Sequence, residues 1–267
     1  MRKVILILTL LLIFVGCMYA QQKKEKKLKA QEILNETKYA TSQNLNFQNI
    51  KSFSLRYKTT SSYVSSGKNR TDIEDNKLSL MLQNIRLETF GESTTNTSNT
   101  ILITDGVLFK RESEVFVNGA KLNAAFNFST PKEEEIKNLQ RDTWLVTFPI
   151  FFESTIYKDL EITYIGKAES DNKRAYILEA YKDENKYRLF IDEETNLLLM
   201  MTRSWKDQDE TEHQIKYYFS DYREESGILF AHKIRFESDV PSIGQGETTI
   251  KSLVLNPPFK DDVFEID

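Results

Sequence analysis

Two periodicities of apolar residues divide the chain, a helical one before residue 42 and a strand-like one over most of the remaining sequence. Between residues 26 and 41, apolar and small side chains recur at the spacing of one helix face, while Leu28 and Tyr39 fall outside it. The members of this face are Ala30, Ile33, Leu34, Thr37 and Thr41. The pattern predicts a helix with one buried face.

From residue 52 onward, apolar and polar side chains alternate, which is typical of strands with one buried face. Phe53, Leu55 and Tyr57 share one such face, and residues 77–90 contain a strand pair or one long strand. Residues 91–100 are rich in Thr, Ser and Asn and lack an apolar period, so this segment is predicted to be a loop.

Two turn signals place hairpins in this first β region. The dipeptide Asp105-Gly106 follows the apolar strand 101–104, and Asn118-Gly119 follows the strand 114–117. Residues 107–109 are predicted to begin the partner strand of the first hairpin. The region is therefore predicted to be an antiparallel meander.

A helical segment interrupts the strands near the middle of the chain. Residues 130–133 combine a threonine that can cap a helix, a proline suited to its first turn and a glutamate that completes a capping box. The predicted helix ends at Gln140 or Trp144. It leads into the apolar and aromatic stretch 148–152, where Pro149 kinks or ends any helix.

Seven further strands are predicted after residue 160, separated by short polar or glycine-containing turns. They cover 161–165, 175–181, 187–192, 197–205, 212–222, 234–238 and 248–255. Because connections this short need no crossover helices, the sheet is predicted to be antiparallel. The continuous apolar runs 101–103 and 197–201 indicate strands that are covered on both faces.

The first residues of the chain have the layout of a secretory signal. Arg2 and Lys3 precede an apolar run over residues 4–15, and small residues follow at Gly16 and Cys17. Residues 14–17 resemble the lipobox of bacterial lipoproteins, in which the cysteine becomes the lipidated first residue. The sequence therefore indicates an exported protein.

Two cleavage sites are compatible with this leader. Cleavage before Cys17 is favoured, since the alternative after Ala20 places Met18 where a smaller residue is preferred; in that alternative Cys17 is lost with the leader. Five lysines between residues 23 and 29 either attract an anionic membrane surface or form a solvated tether. The resulting division is 1–20 as signal peptide, 21–30 as basic tether and 31–267 as a single β domain.

Charge and composition exclude several classes of partner. The chain has a net charge of −4, and loss of the two leader cations makes the mature part more acidic, which argues against a nucleic-acid binder. Cys17 is the only cysteine in the sequence, so no disulfide can stabilise the mature domain. Hydrophobic residues at 40% are typical of a globular chain that builds its own core.

The sequence contains no motif of a known catalytic chemistry. Its histidines, His213 and His232, are interpreted as surface or hairpin residues, and H-E-x-x-H, C-x-x-C, G-x-S-x-G and phosphate-binding glycine patterns are missing. The acidic runs 133–135 and 207–212 are interpreted as solvated turns. We therefore predict no catalytic residue, no metal ligand and no cofactor. An enzyme with an unrecognised site is kept as an additional hypothesis.

Three C-terminal segments and the order of the elements resemble the outer-membrane lipoprotein-sorting superfamily, the LolA/LolB-like proteins. Residues 187–197, YRLFIDEETNL, are similar to the hairpin YRLYIDKETGL of an uncharacterised branch, with Asn196 in place of Gly. Residues 221–234, DYREESGILFAHKI, resemble the segment DYREVDGVLFPHKI of that branch, with Ala231 in place of Pro. The tail 256–259, NPPF, matches its terminal segment.

This resemblance implies a fold and a class of function. The fold would be α+β but mostly β: a strongly curved antiparallel sheet, or half-open barrel, with an N-terminal helix and a central helical insert covering its concave side. The function would be that of a non-enzymatic, periplasm-facing module of the bacterial envelope, monomeric, that binds or carries lipid acyl chains or lipoproteins. The alternative is a structural or interaction lipoprotein that uses the same sheet as a docking surface.

The apolar stretch at and after the central helix supplies the candidate ligand contacts. These residues are Trp144, Phe148, Ile150, Phe151 and Phe152. They could form a removable cover over an apolar cavity, or they could be ordinary core residues. Lipidation of Cys17 would tether the module to a membrane, as a receptor rather than as a shuttling carrier.

Overall fold

The computed structural model describes residues 2–42, 50–81, 84–93, 96–105, 107–122, 128–130, 133–147, 161–170, 172–182 and 184–266. Two helices lie within these ranges, α1 (Arg2–Ser42) and α2 (Glu133–Thr147), and a short 3₁₀ helix, Asp261–Phe264, follows the last strand. The strands before α2 are β1 (Ser52–Ser65), β2 (Lys68–Met81), β3 (Asn84–Glu92), β4 (Asn96–Thr104), β5 (Phe109–Val117), β6 (Ala120–Leu122) and β7 (Phe128–Thr130). The strands after α2 are β8 (Ile162–Ser170), β9 (Lys173–Lys182), β10 (Asn185–Asp192), β11 (Leu198–Lys206), β12 (Glu212–Glu225), β13 (Ile228–Ser238) and β14 (Gln245–Leu255).

All of these strands belong to one antiparallel sheet made of two meanders. The order is β6-β5-β4-β3-β2-β1-β14-β13-β12-β11-β10-β9-β8, and β7 pairs with β5. The meanders meet in the middle of the sheet, where β1 pairs with β14 from Phe53↔Leu255 to Ser62↔Gln245. Within the described ranges β6 and β8 do not pair, so the curved sheet is unclosed, and the predicted half-open barrel is confirmed.

Both helices contribute to the apolar core on the concave side of the sheet. The predicted face of α1 is buried, whereas Leu28 and Tyr39 are 62% and 73% exposed, as its periodicity predicted. Ile33 of α1 and Leu139 of α2 belong to the same apolar cluster as Phe53 of β1. The buried hydroxyls of Thr37 and Thr41 donate to the carbonyls four residues earlier, which satisfies them inside this apolar contact.

The helices differ from the prediction at their ends. Helix α1 begins at Arg2 rather than near residue 26, so the apolar leader is helical as well. Helix α2 begins at Glu133 and continues to Thr147, beyond the predicted end. Thr130, the predicted cap, ends β7, and residues 131 and 132 lie outside the described ranges.

The predicted loop over residues 91–100 is wrong. Gly91 and Glu92 end β3, and residues 96–100 begin β4, which pairs with β3 and β5. These residues lie at an end of the sheet where neither face meets the core, so a strand there needs no apolar alternation. Threonine favours strands, and the hydroxyls of Thr100 and Ser113 lie 3.0 Å apart across β4 and β5.

Both predicted hairpins are confirmed. The carboxylate of Asp105 accepts the amides of Val107 and Leu108, and β5 begins at Phe109, slightly later than predicted. Asn118 and Gly119 both have positive φ, 50° and 82°, as a tight type I′ turn requires.

The strands after residue 160 are all confirmed, although β13 begins at Ile228 rather than at 234. The expectation that both faces are covered is confirmed at the end of the run 101–103, where Ile103 on the outer face and its neighbour Thr104 on the concave face are both buried. In the run 197–201, Leu198 and Met201 are buried, whereas Leu199 and Met200 are only partly buried. The expectation is therefore wrong for this second run, which has one fully covered face.

Candidate functional site

The concave face of the first meander is built from every second residue of its strands. Strand pairing places Leu55, Leu78, Leu87 and Leu102 side by side in one row across β1, β2, β3 and β4. Leu55 and Leu78 are fully buried in the core, whereas Leu87 and Leu102 are partly exposed. The face is therefore apolar and incompletely covered.

A polar row borders this apolar row on its side away from the core. It comprises Tyr57, Asn76, Thr89, Thr100 and Ser113, which are register neighbours. The hydroxyl of Thr89 donates to Asn76 Oδ1 at 2.6 Å. Along the strands, the concave face thus changes from apolar side chains to side chains that form hydrogen bonds. Such a face suits a ligand that has an apolar part and a polar part.

The concave face of the second meander continues the apolar surface. Tyr164, Leu178, Leu189, Met201 and Tyr217 form one row across β8 to β12. Leu178, Leu189 and Met201 are fully buried, while the two tyrosines at the ends of the row are partly exposed. Large apolar side chains on both halves of the sheet are thus left partly uncovered.

A group of rings and ammonium ions lies where α1 meets β8 and β9. The Tyr164 and Tyr176 rings contact edge to face with centroids 6.4 Å apart, and Lys167 Nζ lies 4.9 Å from the Tyr176 centroid. The carboxylate of Glu193, 2.6 Å from Lys167 Nζ, raises the pKa of Lys167. Lys29 of α1 approaches the same ring, 5.7 Å from its centroid. The helix is thereby fixed against this edge of the sheet.

Arg203 stands on the concave face of β11, two positions beyond Met201. Its side chain is only 9% exposed, and its cross-strand neighbours are Tyr187 and Ile215. The guanidinium carbon lies 4.5 Å from the Trp205 centroid, and within the described ranges Nε has no hydrogen-bond partner. Arg203 was not predicted from the sequence as a site residue, although the strand alternation of 201, 203 and 205 places it on the apolar face.

The opposite, outer face of the first meander carries a groove of about 710 Å³. Its walls include Arg56, Lys77, Glu88 and Glu114, and its apolar part includes Phe90 and Ile101. Burial alone would raise the pKa of Glu88, but hydrogen bonds from Lys77 and Arg86 outweigh it and lower that pKa. The groove therefore combines apolar surface with fixed charges of both signs.

The two histidines occupy different environments. His213 lies beside the charged turn, as predicted, with Nε2 3.1 Å from Asp207 Oδ2. His232 lies in the hairpin of β12 and β13, as one of the two interpretations has it, and is buried there rather than at the surface. Its Nε2 lies 3.4 Å from the carboxylate of Glu225, which also accepts the amide of Leu253 on β14.

Glu225 therefore links three strands where the main-chain ladder is interrupted. Strand β13 pairs with β14 only over Lys233 to Glu237, and the Glu225 carboxylate replaces the missing main-chain acceptor beyond it. In the part of the chain that the structure describes, no group of three or more His, Cys, Asp or Glu side chains could hold a metal ion.

Most of the predicted site residues are beyond what the structure describes. Phe148, Ile150, Phe151 and Phe152 lie outside the described ranges. Trp144 lies in α2 between the buried residues Thr143 and Thr147, and Cys17 lies in α1; only the backbone of these two is described. From Gln21 onward, where side chains are described, no helix is long and apolar enough to cross a membrane.

Comparison with known proteins identifies the fold. No protein-family model matches the sequence, and no curated protein matches it. Among solved structures, a LolA superfamily protein from Nitrosomonas europaea aligns with a TM-score of 0.53 at 10% identity, over 88% of this chain and 97% of that one. A DUF1329 family protein from Desulfovibrio piger aligns with a TM-score of 0.53 at 13% identity, over 88% and 97%.

A third similar structure is a domain from Vibrio parahaemolyticus described as a putative outer-membrane lipoprotein-sorting protein. It aligns with a TM-score of 0.52 at 12% identity, over 90% of this chain and 97% of that one. The chain therefore has the LolA-like fold, as its C-terminal segments indicated.

Proposed function

We propose that this protein is a non-enzymatic module that binds or carries lipid acyl chains or lipoproteins on the periplasmic side of the bacterial envelope. The observation that supports this most is the concave face, which is apolar and leaves residues such as Leu87, Leu102 and Tyr217 partly uncovered. Burial of an acyl chain against such a surface yields ~0.8 kcal/mol per methylene group. The names of two structural neighbours, a LolA superfamily protein and a lipoprotein-sorting domain, support the same class of function.

The topology supplies a candidate cover for this face. The chain from β7 to β8, which includes α2, connects the two edges of the unclosed sheet. Ile136 and Leu139 of α2 already pack into the concave core. In our proposal Trp144 and the aromatic residues of 148–152 continue this cover and contact the ligand.

Two adjacent residues of β4 offer a matched test. Leu102 and Ile101 are both partly buried, but Leu102 faces the concave side and Ile101 lines the outer groove. We expect Leu102→Gln to weaken the binding of a fluorescent fatty acid at least about tenfold, because the glutamine amide would lose its water against an acyl chain that offers no hydrogen bond. Ile101→Gln should leave the affinity within about twofold. Equal effects, or no binding by the unaltered protein, would contradict the proposal.

The outer groove supports a second candidate function. Its volume of about 710 Å³ and its charges of both signs suit a docked partner chain rather than an acyl chain. A protein that works through this groove would lose its function with Ile101→Gln and keep it with Leu102→Gln. The same pair of variants therefore separates the lipid carrier from the docking lipoprotein.

Membrane attachment through Cys17 is the remaining part of the proposal. Residues 14–17 resemble a lipobox, and the lysines of 23–29 lie directly after it. The intact mass of the denatured mature protein tests this: we expect a chain that starts at Cys17 and carries acyl groups. A chain that starts at Gln21 would leave the module without this anchor.

A further inference from the structure

Arg203 places a buried cation on the concave face of β11. Arginine stays protonated in proteins, so Arg203 carries its charge although its side chain is only 9% exposed. Its neighbours across and along the strands supply apolar and aromatic surface, and in the part of the chain that the structure describes no carboxylate pairs with it. Burial of an unpaired charge is costly, which favours an anion from outside the chain.

Two other arginines of the sheet are paired with carboxylates. On the outer face of the neighbouring strand β10, Arg188 Nε donates to Glu179 at 2.9 Å, and the outer-face residue Arg86 donates to Glu88 at 3.1 Å. Both guanidinium groups thus have a counter-ion on the solvated face. Arg203 is buried on the concave face and has no such pair among the described residues.

The position of Arg203 fits the head group of an amphiphile. Along the concave side of β11, burial decreases from Met201, which is fully buried, to Trp205, which is partly exposed, so Arg203 lies at the rim of the apolar surface. The guanidinium carbon lies 4.5 Å from the Trp205 centroid, which is the distance of a cation–π contact, and Nε has no hydrogen-bond partner among the described residues. A planar acceptor at this point would supply that partner. An acyl chain lying against Met201 and Leu189 would bring its polar end to this point.

We propose that Arg203 binds the carboxylate or phosphate head group of the lipid held on the concave face, so that the ligands are anionic lipids rather than neutral ones. This inference rests on the proposed function and adds to it the chemical class of the ligand. The guanidinium fork donates two hydrogen bonds to the head group, and the acyl chain lies on the apolar rows of the sheet.

A pair of probes that differ only in charge tests the inference in the mature protein. The probes are a fluorescent fatty acid and its methyl ester, and the variants are Arg203→Gln, Arg203→Lys and the outer-face control Arg188→Gln. We expect Arg203→Gln to weaken acid binding at least about tenfold and to leave ester binding within about twofold. Arg203→Lys should give an intermediate affinity, because a point charge replaces the fork. Arg188→Gln should change neither affinity.

Each outcome has a defined meaning. If Arg203→Gln binds the acid as tightly as the unaltered protein, the inference is wrong and the proposed function stands. If neither acid nor ester binds to the unaltered protein, both are wrong. If inorganic phosphate at equal concentration displaces the acid probe, Arg203 serves a free anion and the lipid assignment fails.

Folding is monitored through the melting temperature. Because Arg203→Gln removes an uncompensated buried charge, the variant should melt at or above the temperature of the unaltered protein. A variant that gains stability and loses acid binding has lost a ligand contact rather than its fold. A large drop in melting temperature would show that Arg203 is a structural residue, which contradicts the inference.

Discussion

Asp192 shows how single side chains fix the turns of the sheet. Its buried carboxylate accepts a hydrogen bond from the amide of Glu194 at 2.9 Å and forms an ion pair with Lys173 at 3.1 Å. Burial alone would raise the pKa of Asp192, but these contacts outweigh it, so the pKa is lowered. The ionised form therefore stabilises the turn between β10 and β11.

This arrangement predicts a pH-dependent stability. The pKa of Asp192 is lower in the folded state than the unfolded value of about 3.9. The carboxylate therefore makes its full contribution to the free energy of unfolding above that value, and this contribution is lost as the pH falls through the folded pKa. We expect Asp192→Asn to lower the free energy of unfolding by about 2 kcal/mol at pH 7. The difference should shrink steadily below about pH 4 in urea titrations.

The exposed turn residue Asp209 provides the control. Asp209→Asn should change the free energy of unfolding by less than about 0.5 kcal/mol at either pH. A destabilisation by Asp192→Asn that is equal at pH 7 and at low pH would show that the carboxylate charge is not responsible.

The environments of single side chains were the features that the sequence predicted least well. The sequence indicates His232 only as a surface or hairpin residue and does not single out Arg203, yet both are buried. Strand alternation assigns a side chain to a face, but it does not show which polar side chain finds a partner there. The Glu225 carboxylate near His232 comes from the preceding strand, β12, and nothing in the sequence indicates that β13 separates from β14 at this point.

At the scale of elements, the turn between β13 and β14 packs closely on β1, the strand at which the two meanders meet. Val64 of β1 donates its amide to Pro241 in this turn at 2.8 Å, and Gly244 closes the turn with a φ of +69°. A Cβ atom at Gly244 would lie 2.0 Å from the carbonyl oxygen of Ser62. Only glycine allows the turn to approach β1 this closely.

Gly67 provides the control for a substitution of Gly244. Its φ of +72° is nearly the same, but no atom lies within 4 Å of a Cβ built there. Gly67→Ala should cost about 1 kcal/mol of unfolding free energy, the backbone penalty alone. Gly244→Ala should cost at least about 2 kcal/mol more, because the clash adds to that penalty. Equal losses in urea denaturation would show that the turn does not dock closely on β1.

Elements were predictable where one face meets the core. The alternation of Phe53 and Leu55 and the helical spacing of Ile33 and Leu34 arise from burial, and the structure confirms both. Residues 96–100 form a strand without that signal, because they extend beyond the core and hydrogen-bond across the sheet instead. A pattern that depends on burial cannot show a strand of this kind.

At the scale of the whole molecule, the topology is compatible with the proposed binding of a lipid. The central pairing of β1 with β14 joins segments about 200 residues apart, and no local pattern in the sequence predicts it. Among the described strands, β6 and β8 lie at opposite ends of the sheet order and do not pair with each other. The curved sheet can therefore admit a ligand between them without breaking a strand pair.

Native mass spectrometry of the mature protein, released gently from bacterial envelopes, tests the central claim most directly. We expect a fraction of the protein to carry an added mass that is lost on denaturation and that corresponds to an anionic lipid. The Leu102→Gln variant should carry much less of it, and Ile101→Gln the same amount. Protein that is entirely free of lipid, and that takes up no fatty acid afterwards, would contradict the account.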